Sequence, residues 1–430
     1  MIKFIKKNPA IPQRWIVLTA LAYSLTAAQA QTPQAEKAFI KENMEFATKQ
    51  YSLMMQTPAQ GKNGKAIMPH SMRKDGTPSK GSIYLWTAGF FPGTLWYLSN
   101  YTGDKALQDS ALVYTHQMEP AKTFTDNHDI GFMMYCSYGN ANRFAPKDEY
   151  EDILVESARS LCTRFRPQAK VIQSWNGFRS WHGDKVYDFP VIIDNMMNLE
   201  LLYFASKVTG DPHYAEIANS HAITTAREQF REDYSNYHVV NYDPETGKVL
   251  HKQTCQGFSD NSAWARGQAW AIYGYTMAYR ETKKPEFLEM AQRTAEFWLN
   301  HSNLPEDMVP YWDFNAGQEG YVPEWEYDAN DFKEIPRDAS AAAITASALL
   351  ELYQYVDKKT GKRYYQAAVK TLKSLASPSY LAAQGTNGNF LLKHCVGSIP
   401  HKNEIDVPLV YADYYFLEAL HRYKNSKGIK

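Results

Sequence analysis

One short polar break between two amphipathic stretches recurs along this chain, at Tyr101-Thr102-Gly103-Asp104, Ala145-Pro146-Lys147-Asp148, Val208-Thr209-Gly210-Asp211, Glu281-Thr282-Lys283-Lys284-Pro285 and Lys359-Thr360-Gly361-Lys362. Glycine ends a helix because it takes the left-handed conformation at little cost, and Asp or Pro opens the next one. Recurrence of the break predicts a helical-hairpin repeat. Helices entering the breaks begin near Thr87, Asp129, Asp194, Ala263 and Asp338, with a last one from about residue 407 to 423. Those leaving begin near Lys105, Glu149, Pro212, Pro285 and Lys362, and a first helix over residues 33–55 has no partner of its own. Pairing the first helix with the last closes two concentric rings of six, an all-α (α/α)6 barrel. A chain of 430 residues outgrows a single compact core, but repeats that bury their faces against neighbours extend without that limit.

The connections are asymmetric. Those within a hairpin are short, whereas residues 58–85, 168–190, 230–262, 303–336 and 378–406 form long loops leading into the inner helices. Long loops in a compact domain carry function or are disordered, and their Trp, Tyr and His content argues against disorder. The aromatic fraction is high, 14%, with 30 Tyr and 10 Trp. Aromatic faces in loops suit flat, partly apolar ligands such as sugar rings. A net charge of +0 supplies no attraction to polyanions, so nucleic acid is not an expected partner.

At the N-terminus, Lys3, Lys6, Lys7 and Arg14 precede an apolar run over 15–25 and then Ala28-Gln29-Ala30. That order predicts a secretory signal peptide over residues 1–30 and one catalytic domain over 31–430, exported to the periplasm or beyond. The apolar run is too short to span a bilayer, and no later stretch approaches that length. Cys136, Cys162, Cys255 and Cys395 form no disulfide framework and no C-x-x-C pair, which leaves one disulfide open.

Two acids stand at equivalent inner-helix mouths. In VIIDNMMNLELLYFAS (residues 191–206), Ile193, Met196, Met197, Leu201 and Phe204 trace a helical face headed by Asp194. In TDNHDIGFMMYCSYGNA (125–141), Asp129 holds the same place one hairpin earlier. Each is readable as a helix cap. If they meet across the ring, each raises the other's proton affinity, and the pair holds one proton and one charge near neutrality, as acid/base chemistry needs. Asp338, in PRDASAAAITASALL, shares the position and reads as a cap. CQGFSDNSAWARGQAWAIYGYTMAYRET (255–282) places Gln256, Arg266, Gln268 and Trp270 at another mouth. Arg266 in an apolar helix needs an anion, either a structural partner or a substrate carboxylate or sulfate. His128, His182 and His238 lie in or beside the loops without metal-ligand spacing, so no metal and no cofactor is expected.

The segments YLWTAGFFPGTLWYL, NHDIGF, VIIDNMMNLELLYFAS, GFSDNSAWARGQAWAIYGY, PRDASAAAITASALLEL and EIDVPLVYADYYFLEAL together resemble the unsaturated glucuronyl hydrolases, glycoside hydrolase family 88. The resemblance implies an (α/α)6 barrel. It implies removal of the 4,5-unsaturated uronic acid that polysaccharide lyases leave on glycosaminoglycan- or ulvan-type oligosaccharides. It maps the general acid/base onto Asp194 and the partner carboxylate onto Asp129, the latter expected as the ionised neighbour. It also maps sugar-stacking aromatics onto Trp86, Trp175 and Trp270, and a polar shell onto His128, His238, Gln256 and Arg266. LLKHCVGSIPHKNEIDVP (391–408) departs from the Ser-Gly-Lys pattern of some members, which leaves Lys402 or His401 to meet the next sugar.

Other readings are an unsaturated rhamnogalacturonyl hydrolase acting on pectin fragments, a sugar epimerase and a non-catalytic carbohydrate-binding toroid. An epimerase adds no water, and it relies on paired histidines where this chain offers paired aspartates. Oligomeric state is not legible.

Overall fold

The computed structural model describes residues 33–56, 67–183 and 185–429; the expected export signal lies outside them. In chain order, α1 (Pro33–Met54) precedes α2 (Phe90–Thr102), which turns through Gly103 into α3 (Lys105–Gln117). Asp104 caps α3 by accepting from the Ala106 and Leu107 amides. Next, α4 (Ile130–Met134) passes through a π turn at Tyr135–Gly139 into α5 (Asn140–Phe144) and returns as α6 (Asp148–Cys162). A 3-10 helix at Ile193–Asn198 continues as α7 (Leu199–Thr209), and Gly210 turns it into α8 (Pro212–Glu228). Then come α9 (Ala265–Thr282) with α10 (Pro285–Asn300), α11 (Ala339–Leu352) with α12 (Lys358–Leu375), and α13 (Val410–Ser426).

The inner ring is α2, α4–α5, α7, α9, α11 and α13. Helix α11 packs between α9 and α13, α13 packs on α2, and α1 touches both α2 and α13 to close the ring. Burial follows the role. Every residue of α11 is buried, because the helix is covered on all sides. The outer α12 buries one stripe, with Tyr364, Ala368, Leu372 and Leu375 on it. No described helix is long and apolar enough to cross a membrane.

Four local expectations are corrected. The last break falls earlier than Lys359–Lys362: α11 ends at Leu352, Asp357 caps α12, and Gly361 lies inside the new helix. A Cβ on Gly361 would lie 2.6 Å from the Tyr353 carbonyl, so this glycine permits a close approach rather than stopping a helix. Second, the long loops hold short antiparallel ladders, among them Phe178–Arg179 with Val186–Tyr187 and a three-stranded sheet of Pro190–Ile192, Val239–Tyr242 and Val249–Gln253. Strands of two to five residues are too short to show period-two alternation. Third, Asp194 does not head an α-helix; it lies in the first turn of the 3-10 segment. Fourth, all four cysteines are free.

Candidate active site

The two acids are brought together by backbone register. Ile192 pairs with Val239 across the antiparallel ladder, and the Ile193 amide donates to the His238 carbonyl (3.1 Å). Asp194 therefore emerges beside His238, whose Nε2 lies 3.6 Å from the Asp194 Oδ2. Ser174 ties this segment to the other acid. Its amide donates to the Pro190 carbonyl (2.9 Å), its carbonyl accepts from the His128 amide (3.1 Å), and its hydroxyl accepts from the Ile192 amide (2.9 Å). The next residue after His128 is Asp129, at the mouth of α4, where its side chain makes no cap bond. His128 Nε2 faces Asp129 Oδ1 at 3.4 Å. Each carboxylate thus has a buried imidazole Nε2 in front of it.

The tautomer of His238 follows from its surroundings. Its Nδ1 accepts the amides of Cys255 (3.2 Å) and Gln256 (3.1 Å), so the proton sits on Nε2 and points at Asp194. Burial, aided by the Arg266 charge, holds its pKa well below the usual histidine range. Burial likewise depresses His128 to about 3. Both rings are neutral at ordinary pH.

Both carboxyls are shifted upward. Asp194 is raised to about 6, by burial first, against the Arg266 charge that favours its ionised form. Asp129 is raised to about 8, by burial and then by the charge of Asp194, with Arg164 opposing. Both acids are thus biased toward the protonated form, while Arg266 favours charge on Asp194 and Arg164 favours it on Asp129.

Arg266 itself is structural in this state. One terminal nitrogen binds Asp338 (3.2 Å) and the Val396 carbonyl, and the other binds Gln256 Oε1 (2.8 Å) and the Gly397 carbonyl (2.7 Å). The guanidinium also stacks over Trp264 (4.4 Å). The structural ion pair, one of its two expected roles, is formed with Asp338. Asp338 also caps α11, accepting from the Ser340 amide (3.0 Å) and hydroxyl (2.6 Å).

Among the expected aromatics, Trp270 is wholly buried, packed against Phe132 and Tyr415; it is core, not an exposed stacking platform. Trp175 and Trp86 are half-buried. Trp175 stands edge-on to His238 (6.4 Å), and Trp86 packs on Tyr411 (4.9 Å). Lys402 is not in the cluster; it lies on an exposed hairpin tip with Nζ 3.3 Å from Glu326. Its neighbour His401 packs at a tilt against Trp181 (5.0 Å).

Several site residues had not been singled out in the sequence. Trp264 underlies His238 (4.3 Å), and its place just before α9 in the SAWARG run was a usable signal. Arg164 clamps the carbonyls of Thr125 (2.5 Å) and Gln173 (2.8 Å). His70 bridges Thr87 (2.8 Å) and Glu404. Nothing local marks the last two, because their partners are distant in sequence.

A family model described as Glycosyl Hydrolase Family 88 matches residues 62–426. The chain is 50% identical over 341 residues to the unsaturated glucuronyl hydrolase of Formosa agariphila, covering 79% of this chain and 80% of that protein. It is 33% identical over 397 residues to an unsaturated chondroitin disaccharide hydrolase of Streptococcus pyogenes, covering 89% and 91%. A crystal structure of an unsaturated glucuronyl hydrolase specific for heparin superposes with a TM-score of 0.82 at 44% identity, covering 91% of this chain and 99% of that one. Together with the ring of helices described above, these likenesses bear out the expected (α/α)6 barrel.

Proposed function

Since the chain belongs to glycosyl hydrolase family 88, we propose that its Asp129–Asp194 pair hydrates the 4,5-double bond of an unsaturated uronic acid at the non-reducing end of lyase-derived oligosaccharides. The enzyme is an unsaturated glucuronyl hydrolase, and its substrates are unsaturated glycosaminoglycan-type oligosaccharides, with ulvan-type fragments as a further class. The observation that carries the catalytic assignment is the pair itself: two carboxyls at adjacent helix mouths, both raised, each faced by a neutral imidazole.

The substrate's double bond is conjugated to the ring oxygen as a vinyl ether. Asp194 gives a proton to C4, which leaves a cation centred on C5 and shared with the ring oxygen. Water adds at C5 and returns its proton to Asp194. The resulting hemiketal opens at the C5–ring oxygen bond, and the hemiacetal left at C1 expels the aglycone. Asp194 must hold a proton to donate, and burial raises its proton affinity toward that state. The uronate carboxylate of the substrate adds to this, since a new negative charge beside Asp194 raises its proton affinity further. Because the attack is not at the anomeric carbon, carboxylate separation does not report retention or inversion here.

The test is a panel of unsaturated disaccharides from chondroitin, hyaluronan, heparin, ulvan and pectin, followed by loss of the conjugated ultraviolet absorbance and by product mass. The expected result is decay on at least one uronate substrate with gain of one water. Absorbance that persists across the panel overturns the reading. The order of residues 1–30 supports export with cleavage before Gln31; the mass of the mature protein from the periplasm checks it.

A further inference from the structure

Outside the catalytic pair, three side chains from three separate loops converge on one point. His182 lies beyond the Phe178–Arg179 strand, His251 lies in Val249–Gln253, and Asp260 lies in the segment before α9. His182 Nε2 is 2.6 Å and His251 Nε2 is 3.6 Å from the same Asp260 Oδ2, and all three atoms lie within 4.8 Å of one another. A zinc-class ion held at bonds of about 2.0–2.2 Å sets tetrahedral ligand atoms about 3.3–3.5 Å apart, so small side-chain rotations reach that geometry. His182 is exposed at a hairpin tip and free to make them.

The surroundings fit a metal better than a simple ion pair. Asp260 Oδ1 accepts the Thr254 amide (2.8 Å), which fixes the carboxylate and leaves Oδ2 for the cluster. His251 Nε2 is shielded from solvent yet has no hydrogen-bond partner. Glu324 accepts the Asp260 amide (3.1 Å) and adds a second carboxylate beside the cluster. We propose that His182, His251 and Asp260 form a site for one borderline divalent ion of the zinc class, with its remaining position open to water. Two imidazoles with one carboxylate select such ions over calcium or magnesium, which prefer oxygen ligands. The site is structural. It would tie the hairpin that carries Trp181 to the segment preceding α9, where the Trp181 indole already donates to the Cys255 carbonyl (3.1 Å). No local spacing announces it, because the ligands lie far apart in sequence.

The test is calorimetric titration of the untagged, chelator-stripped full chain with zinc, and of the variants His182→Ala and His251→Gln, with melting curves to verify that each folds. One zinc per chain is expected, with a rise in melting temperature, affinity at least ~10–100-fold weaker in both variants, and no competition from calcium or magnesium. An ion pair only, seen as no saturable zinc binding, overturns the proposal. So does binding unchanged in both variants, or displacement by calcium or magnesium.

Discussion

On the proposed reading Asp194 and Asp129 carry the chemistry, and their environments make separable predictions. Asp194→Asn removes the proton donor and is expected to lower kcat by at least ~10²–10⁴-fold while binding of an unsaturated disaccharide, measured by calorimetry, persists. The pair does its work with one proton on it. The pH profile of kcat/KM is therefore expected to be bell-shaped, with limbs near 6 and 8 that belong to the coupled pair. The same shifts set a stability slope. Native carboxyls raised above the unfolded value near 4 hold protons that the unfolded chain has released, so stability falls as pH rises from about 4 to 8. Asp129→Asn removes the larger part of this, and its melting temperature relative to the parent is expected to climb with pH across that window. At this scale the sequence showed two acids at equivalent mouths. It was silent on their surroundings, because Arg266 reaches Asp194 only in three dimensions.

At the scale of elements, close approaches by glycine hold the acids in place. A Cβ on Gly131 would lie 2.5 Å from Asn198 Oδ1 and 2.6 Å from its Cα. Without that Cβ, α4 lies against the 3-10 helix, and the Phe132 amide donates to Asn198 Oδ1 (2.8 Å). One end of this contact starts two residues after Asp129 and the other ends four residues after Asp194. Gly131→Ala is expected to cost about 1–3 kcal/mol by overpacking and to narrow the gap between the two pH limbs as the acids move apart. Thermal melts and the pH profile check the two parts. Gly274 does the same for α9, where a Cβ would lie 2.5 Å from that of Met196. The helices themselves were legible from their breaks. Their contacts were not, because a glycine inside a helix looks the same in sequence whether it is tolerated or required.

Across the whole molecule, the end of the barrel opposite the acids is closed by ions rather than by sugar-facing loops. Arg280 joins Glu200 and Glu351, and Arg422 joins Glu351 (3.0 Å) and Glu418 (3.7 Å), which links α7, α9, α11 and α13. These groups line a charged depression on that side. Arg280→Met leaves the largely buried Glu200 without its ion-pair partner, while Glu351 keeps Arg422. It is expected to destabilise by about 3 kcal/mol in denaturant melts while kcat/KM at 25 °C changes little. Ring closure has its own signature. Tyr51 of α1 donates to Asp413 of α13 (2.9 Å), and that carboxylate also accepts the Leu391 and Leu392 amides (2.8 and 3.0 Å).

From the sequence alone, the hairpin repeat, the long loops at one end of the ring, and two acids at equivalent helix mouths were all readable. Each is written in local signals: a break, a loop length, a carboxylate at a helix mouth. Only the tertiary structure decided that Arg266 is bound to Asp338, Val396, Gln256 and Gly397, that Trp270 is core, and that burial raises both acids. It also decided that His182, His251 and Asp260 meet. These are properties of groups brought together from distant segments, and burial and electrostatic fields act through space rather than along the chain.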